Sequence, residues 1–369
     1  MDSVKIPFYA KVALIFIAGY AFIYAMYIGQ DILIPIVYAT LVAILLNPFV
    51  NMLVRKGVNR VVAISLAVVF VFIITACLVY FISTQVSMFA ETYPQLKVKT
   101  EATSQQLIHW VSANFNIKVK KINDWIQHNE DVLFSDAGGM VGRTLLSLSG
   151  TLFVFLLMPV YLFMILFYKA LLLDFVRQLF RKEHHASVTE VLGRTKVIIQ
   201  SYLKGLLIEA LVVAILNSAG LLLIGVEYAI ILGVTGAILN VIPYIGGVIA
   251  IALPMIIAFV TIDSVSAPFL VLGVYLLIQF IDNHYIIPMV VASKVKINAL
   301  ISIIVVLVGG ALWGVPGMFL SIPLTAILKV VFDHIESLKP WGFLLGNIES
   351  SATKYSFSKS RRIKRPPLK

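Results

Sequence analysis

Two carboxylates in apolar surroundings carry the most chemical information in this chain. Glu209 lies about one turn into an apolar run that starts at Gly205, and Asp282 lies near the end of another, Pro268 to Ile287. A charge at the centre of a membrane helix costs about 2.5–3.5 kcal/mol on insertion scales, and less near the interface. Two readings stay open for each acid. It binds a proton or cation, or it is a structural partner for Lys204, Lys294 or a helix end. At a rise of about 1.5 Å per residue, both acids lie roughly 5–10 Å from the inner boundary. Gln279 and Asn283 are four residues apart on one helix face, with Asp282 three from Gln279. Asn240 can donate and accept through its amide, which suits a polar cargo or an ion, or closes its own backbone. His284 lies beside Asp282 as a further polar candidate, though a solvated interfacial histidine explains it equally.

The next feature is backbone rather than side chain. Tyr228 to Ile262 is 35 residues without Asp, Glu, Lys or Arg, and Ile297 to Leu328 is another 32. About 20 residues cross the hydrocarbon core, so each stretch is too long for one span and too short for two with a turn. Both are broken at the centre. Pro243, Tyr244, Gly246 and Gly247 belong to NVIPYIGG, and Gly309, Gly310, Gly314, Pro316 and Gly317 to GGALWGVPG. Proline removes a donor and clashes within a helix. Irregular backbone persists in a bilayer only when buried in protein or lining a cavity. Paired Gly/Pro-interrupted segments therefore point to a transporter's binding site. The competing explanation is tight helix packing by small residues.

These groups need elements to hold them. The chain is 60% hydrophobic and 13% charged, which excludes an ordinary soluble domain. Apolar runs recur throughout, so the fold class is all-α: a polytopic transmembrane helical bundle with about eight membrane segments. Two of these read as re-entrant broken hairpins in opposite orientation, with short tilted spans as the alternative. The N-terminal run lacks a small-residue cleavage site and reads as a first span rather than a signal. Cys77, the one cysteine, sits in an apolar run and reads as a buried small hydrophobe.

Lys/Arg excess marks cytoplasmic loops. Bases cluster before the first span, at Arg55 to Arg60, from Lys169 to Lys204, and at Lys294 and Lys296. They also fill the tail after Ser350, which has seven bases and no acid against a net charge of +11. All fall on one side if both termini are cytoplasmic. The expected divisions are residues 1–82, three transmembrane helices; 83–144, an extracytoplasmic helical segment; 145–204, a fourth span and basic linker; 205–332, a transport core; and 333–369, a largely disordered basic tail. Within 83–144, Val86, Phe89, Leu107, Trp110 and Val111 have helical spacing, as do Ile122, Trp125 and Ile126, which suggests a hairpin near the outer face. The tail reads as a topology marker touching anionic lipid, not as a nucleic-acid site.

At particular runs the sequence resembles a known family. SYLKGLLIEA (Ser201 to Ala210), LLLIGVEYAIILG (Leu221 to Gly233) and NVIPYIGG look like the autoinducer-2 exporter family of bacterial membrane proteins. The block from Asp282 to Lys329 is similar to that family's most recognisable stretch. The resemblance covers roughly Met158 to Lys329 well, and the N-terminal third in layout. It implies about eight membrane helices, a homo-oligomer, and either export of a small signalling molecule or sodium–proton antiport. The chain departs from the common pattern at Gly247, where many members have proline, and at Lys296-Ile297-Asn298.

No phosphate-binding Gly-Lys-Ser/Thr loop, His-Glu-x-x-His or legible nucleophile–base pair is present in the sequence. Neither an encoded motor nor an intramembrane hydrolase is expected, and no cofactor or metal. The expectation is a secondary transporter of the bacterial inner membrane, carrying a small polar solute and coupled to protons or sodium. Sodium–proton antiport and a non-transporting scaffold are the alternatives.

Overall fold

The computed structural model describes residues 7–115, 157–242, 245–262, 264, 266–292 and 297–346. All regular structure among them is helical. In chain order the helices are α1 (Phe8–Ile28), α2 (Gln30–Arg55), α3 (Arg60–Phe115), α4 (Leu157–Phe167), α5 (Lys169–Gln178), α6 (His185–Ile224), α7 (Ala229–Asn240), α8 (Ile245–Thr261), α9 (Ala267–Ile281), α10 (Ala299–His334) and α11 (Lys339–Leu345). Among the described residues six helices are long and apolar enough to cross a membrane, or seven if the pair α4–α5, bent by 67°, is taken as one span. The first broken stretch supplies two short helices, α7 and α8, in place of a span that passes the length test.

Three buried clusters hold the bundle together. Ala39 and Ala43 of α2 meet Ala63 and Ala67 of α3, with Leu162 of α4 beside them. Small residues four apart let the two backbones approach closely, as membrane helices require when lipid tails supply no drive of their own. A second cluster joins α2, α6 and α10 through Leu41, Ile199, Tyr202, Trp313 and Leu320. A third joins α6, α7, α8 and α9 through Leu221, Leu232, Ile257, Val271 and Tyr275. Helix α6 thus takes part in two clusters. The outer surface is apolar too: α1 has no buried residue, and Phe16 is 74% exposed. An apolar skin of this extent marks a surface that lipid covers.

Several sequence-drawn divisions fall inside continuous helices. Helix α3, 56 residues long, continues past position 82 to Phe115 with Pro94 inside it, and its span-length apolar part is Arg60–Phe81. Val86, Phe89, Leu107, Trp110 and Val111 are on this helix, while Ile122, Trp125 and Ile126 lie outside the described residues. Lys99 of the extension donates to the carbonyls of Val260 and Ile262, both at 3.1 Å, where the end of α8 leaves oxygens without helical partners. Helix α6 runs 40 residues across position 204, from basic linker into apolar core. It stops at Gly225, whose φ of 83° gives a left-handed cap.

Position 333 falls inside α10. Helix α10 continues to His334, and α11 is held by Asn298, whose amide donates to Leu344 and Gly346 carbonyls at 2.7 and 3.1 Å. Cys77 is exposed, contrary to its reading as a buried hydrophobe. In a membrane an apolar residue need not face protein, because the lipid-facing surface is apolar as well.

Candidate functional site

Helix periodicity aligns Glu209, Val213 and Asn217 on one face of α6, four residues apart, and all three are buried. The opposing face comes from α9, where Tyr275, Ile278 and Asp282 are buried at three- and four-residue steps. Asp282 opens a π-helical turn, Asp282–Ile286, followed by a second at Pro288–Ala292. In a regular helix Pro288 would clash with the His284 carbonyl and supply no donor. Wider turns on either side accommodate it, and such turns are common at functional sites.

The first broken stretch folds back between these two faces. Helices α7 and α8 form a helical hairpin whose backbones touch at Gly246, where an added Cβ would overlap the Leu239 carbonyl. Asn240 ends α7, and its Nδ2 donates to Asp282 Oδ2 at 3.1 Å. A cavity of about 460 Å³ opens beside this pair. Its polar wall is Glu209, Asn240, Gln279, Asp282 and Asn283, with Gly247. Four elements contribute to one space: α6, the first hairpin, the α9 segment and, through Val306 and Ile322, the arms of the second hairpin.

Beneath it lies a void of about 10 Å³ shared by Asn217, Asn240, Tyr275, Gln279 and Asp282. That is about the smallest space able to hold one water. Asn217 Oδ1, Tyr275 OH and Asp282 Oδ1 are buried there without a hydrogen-bond partner among the described residues. Buried polar atoms are nearly always paired, so three together mark a place suited to a small polar or charged guest. Asn217 and Tyr275 were not singled out from sequence. The available signal was spacing: Asn217 is eight residues, two turns, beyond Glu209.

The carboxylates have no basic partner to neutralise them. Lys204 is exposed and, among the described residues, neither Glu209 nor Asp282 forms an ion pair. Lys294 lies outside the described residues. Gly247 faces the cavity, where an added Cβ would lie 3.5 Å from Gln279 Oε1 and 3.7 Å from Asn240 Oδ1. His284 is exposed and stacks on Phe280 at 4.2 Å, away from this wall. Pro243 and Tyr244 lie outside the described residues.

The second break behaves differently. Helix α10 is interrupted at Trp313 and at Gly314, whose φ of 62° and ψ of −145° suit glycine alone. The chain reverses there, and the arms meet so closely that a Cβ on Gly309 would stand 2.5 Å from the Gly317 carbonyl oxygen. Met318 fills the space beside Gly310. Trp313 Nε1 donates to the Met26 carbonyl of α1 at 3.0 Å, and Tyr38 of α2 reaches the Pro316 carbonyl at 3.4 Å. Gly309, Gly310, Gly314, Pro316 and Gly317 are not among the residues lining the 460 Å³ cavity. Among the described residues, the second break therefore stays outside this chamber, held to α1 and α2 by the Trp313–Met26 and Tyr38–Pro316 hydrogen bonds, while Asn240 and Gly247 of the first border the polar wall.

Comparison with known proteins places the chain in context. The sequence model described as "AI-2E family transporter" matches residues 14–337. A "Putative transport protein" of Haemophilus influenzae is 26% identical over 327 residues, 87% of this chain and 92% of that protein. "AI-2 transport protein TqsA" of Escherichia coli K12 is 24% identical over 351 residues, 94% of this chain and 97% of that protein. "Putative transport protein YrrI" of Bacillus subtilis is 33% identical over a shorter stretch of 133 residues, 36% of this chain and 37% of that protein.

Proposed function

Because the chain belongs to the AI-2E transporter family, we propose that it is a secondary transporter that exports a small polar solute and uses Glu209 and Asp282 to couple export to protons or sodium. It works in the bacterial inner membrane with both termini cytoplasmic, and both broken stretches are re-entrant. One observation carries this reading: two acids that form no ion pair among the described residues share a 460 Å³ cavity with the amides of Asn240, Gln279 and Asn283. Amides offer donors and acceptors to a neutral polar guest. The carboxylates add a group whose charge a proton or sodium ion can cancel.

The Asn240–Asp282 contact is the coupling element in this reading. Asn240 donates to Asp282 Oδ2. Protonation or cation binding at Asp282 changes what that amide can donate to, and so changes the fit between the first hairpin and α9. Movement of the hairpin then exposes the cavity to one side or the other. The relative named "AI-2 transport protein TqsA" supports a small signalling molecule as the cargo class.

Proteoliposomes test the proposal. Flux of an autoinducer-2-type solute under an imposed proton or sodium gradient is expected, and is expected to fall in Glu209→Gln and Asp282→Asn. Unchanged flux in both variants would remove the carboxylates from the mechanism. Sodium-evoked proton movement without solute would move the assignment to antiport, and no flux of any kind would favour a scaffold.

A further inference from the structure

A larger cavity than the one beside Glu209 and Asp282 lies where α4 bends into α5. It measures about 590 Å³ and joins a second of about 450 Å³ through Asn47, Leu166, Lys169, Leu173 and Arg177. Both volumes are within the ~300–1,000 Å³ span of small-molecule sites. The larger is walled by Leu41 and Ile44 of α2 and by Leu324 and Ile327 of α10. The smaller is polar, and Arg60, Lys169 and Arg177 all reach it, while Lys196 enters the larger one.

Positive charge is concentrated here beyond what the local acids answer. Among the described residues Asp174 is the one acid lining either cavity, and it is paired to Arg177 at 3.1 Å. Among the described residues no carboxylate pairs with Arg60, Lys169 or Lys196. Lys169 donates instead to the buried amide of Asn47 at 2.9 Å. Arg60 donates to the carbonyls of Leu166 and Phe167 at the bend, at 3.3 and 3.1 Å. Arg177 Nε is buried with no partner among the described residues. Lys169, Arg177 and Lys196 line the same cavity, so like charges stand together there. An anion would relieve that crowding.

The surroundings say which kind of anion. Helix α5 leaves the line of α4 at 67°. It exposes Leu171, Leu172 and Phe175, with Leu179 just beyond, while Lys169 and Arg177 stay on the cavity side. An apolar face beside a basic one is the pattern of a helix lying in the membrane interface. The basic end of the site is therefore at headgroup depth, and its apolar wall continues along α2 and α10.

We propose that the joined cavities bind one anionic phospholipid, with the phosphate held by Lys169, Lys196 and Arg177 and one acyl chain along Leu41, Ile44, Leu324 and Ile327. The site is separate from the Glu209–Asp282 cavity, so its occupancy can be tested whether or not the transport reading holds.

Native mass spectrometry of the full-length protein in detergent, titrated with phosphatidylglycerol, phosphatidylcholine or glycerol 3-phosphate, decides it. The wild type is expected to bind phosphatidylglycerol about tenfold or more tightly than phosphatidylcholine, because only the first brings net negative charge to the bases. Glycerol 3-phosphate, lacking the chain, is expected to bind far more weakly. The double variant Lys169→Gln, Lys196→Gln is expected to lose the headgroup preference. Equal binding of the two lipids by the wild type overturns the proposal, as does a preference surviving in the double variant. Glycerol 3-phosphate binding as tightly as phosphatidylglycerol would make this a soluble-anion site and also overturn the lipid assignment. If the double variant does not remain monodisperse, the wild-type series alone decides.

Discussion

The two broken stretches look alike in sequence and differ in the structure. In the first, the hairpin end leaves Asn240 and Gly247 beside two acids and a cavity. In the second, the tip's Trp313 donates to the Met26 carbonyl of α1 and its Pro316 carbonyl accepts from Tyr38 of α2, while the glycines serve the contact between the arms. Glycine and proline thus announce where a membrane helix turns back. Whether the turn becomes a site depends on what the neighbouring helices place against it.

That contrast can be broken or sharpened by substitution. The largest effect is expected at Gly317→Val, where the new side chain would overlap the Gly309 backbone. Overpacking costs about 1–3 kcal/mol and sometimes more, so thermal unfolding in detergent should show a large loss of stability. Asp282→Asn comes next, with the opposite signature. Hydrogen bonds to charged groups contribute about 1.5–3 kcal/mol, so coupled flux in proteoliposomes should fall about tenfold or more while the fold persists. A stable Gly317→Val protein, or an unfolded Asp282→Asn protein, would reverse the division of labour between the two hairpins.

Smaller changes refine it. Trp313→Phe keeps the ring and deletes the donor to Met26, so unfolding should register a loss of ~0.5–1.5 kcal/mol. Its solute affinity is expected to stay at the wild-type value, and a shift there would tie the second tip to the binding cavity. Gly247→Ala puts a methyl at ordinary contact distance from Gln279 and Asn240. Stability should move by no more than about 0.5 kcal/mol, with a measurable change in solute KM. No change in either would show that the guest does not approach this wall.

The acids were legible because a carboxylate in an apolar run has few explanations, and the amides because they share its helix face. Asn217 and Tyr275 were less visible: each is a single polar group inside an otherwise continuous apolar stretch, and only burial against Asp282 gives it meaning. Both chain reversals could be read from glycine and proline. The pinning of the second tip could not, because it depends on Met26 and Tyr38, more than 270 residues away in the chain. Polarity changes at position 82, and the apolar, span-length part of α3 ends at Phe81, yet helical hydrogen bonding is indifferent to whether water or lipid surrounds the chain, and the helix itself continues. Cys77 shows the same ambiguity in reverse, since apolar sequence alone does not distinguish a protein-facing from a lipid-facing position.

The unbroken length of α6 has a mechanical consequence. From His185 to Glu209 is about 36 Å of rigid rod at ~1.5 Å per residue. A tilt of about 5° around its basic end therefore sweeps the Glu209 backbone sideways by roughly 3 Å, a hydrogen-bond length. Leverage of that size makes the far end of this helix a handle on the acid it carries.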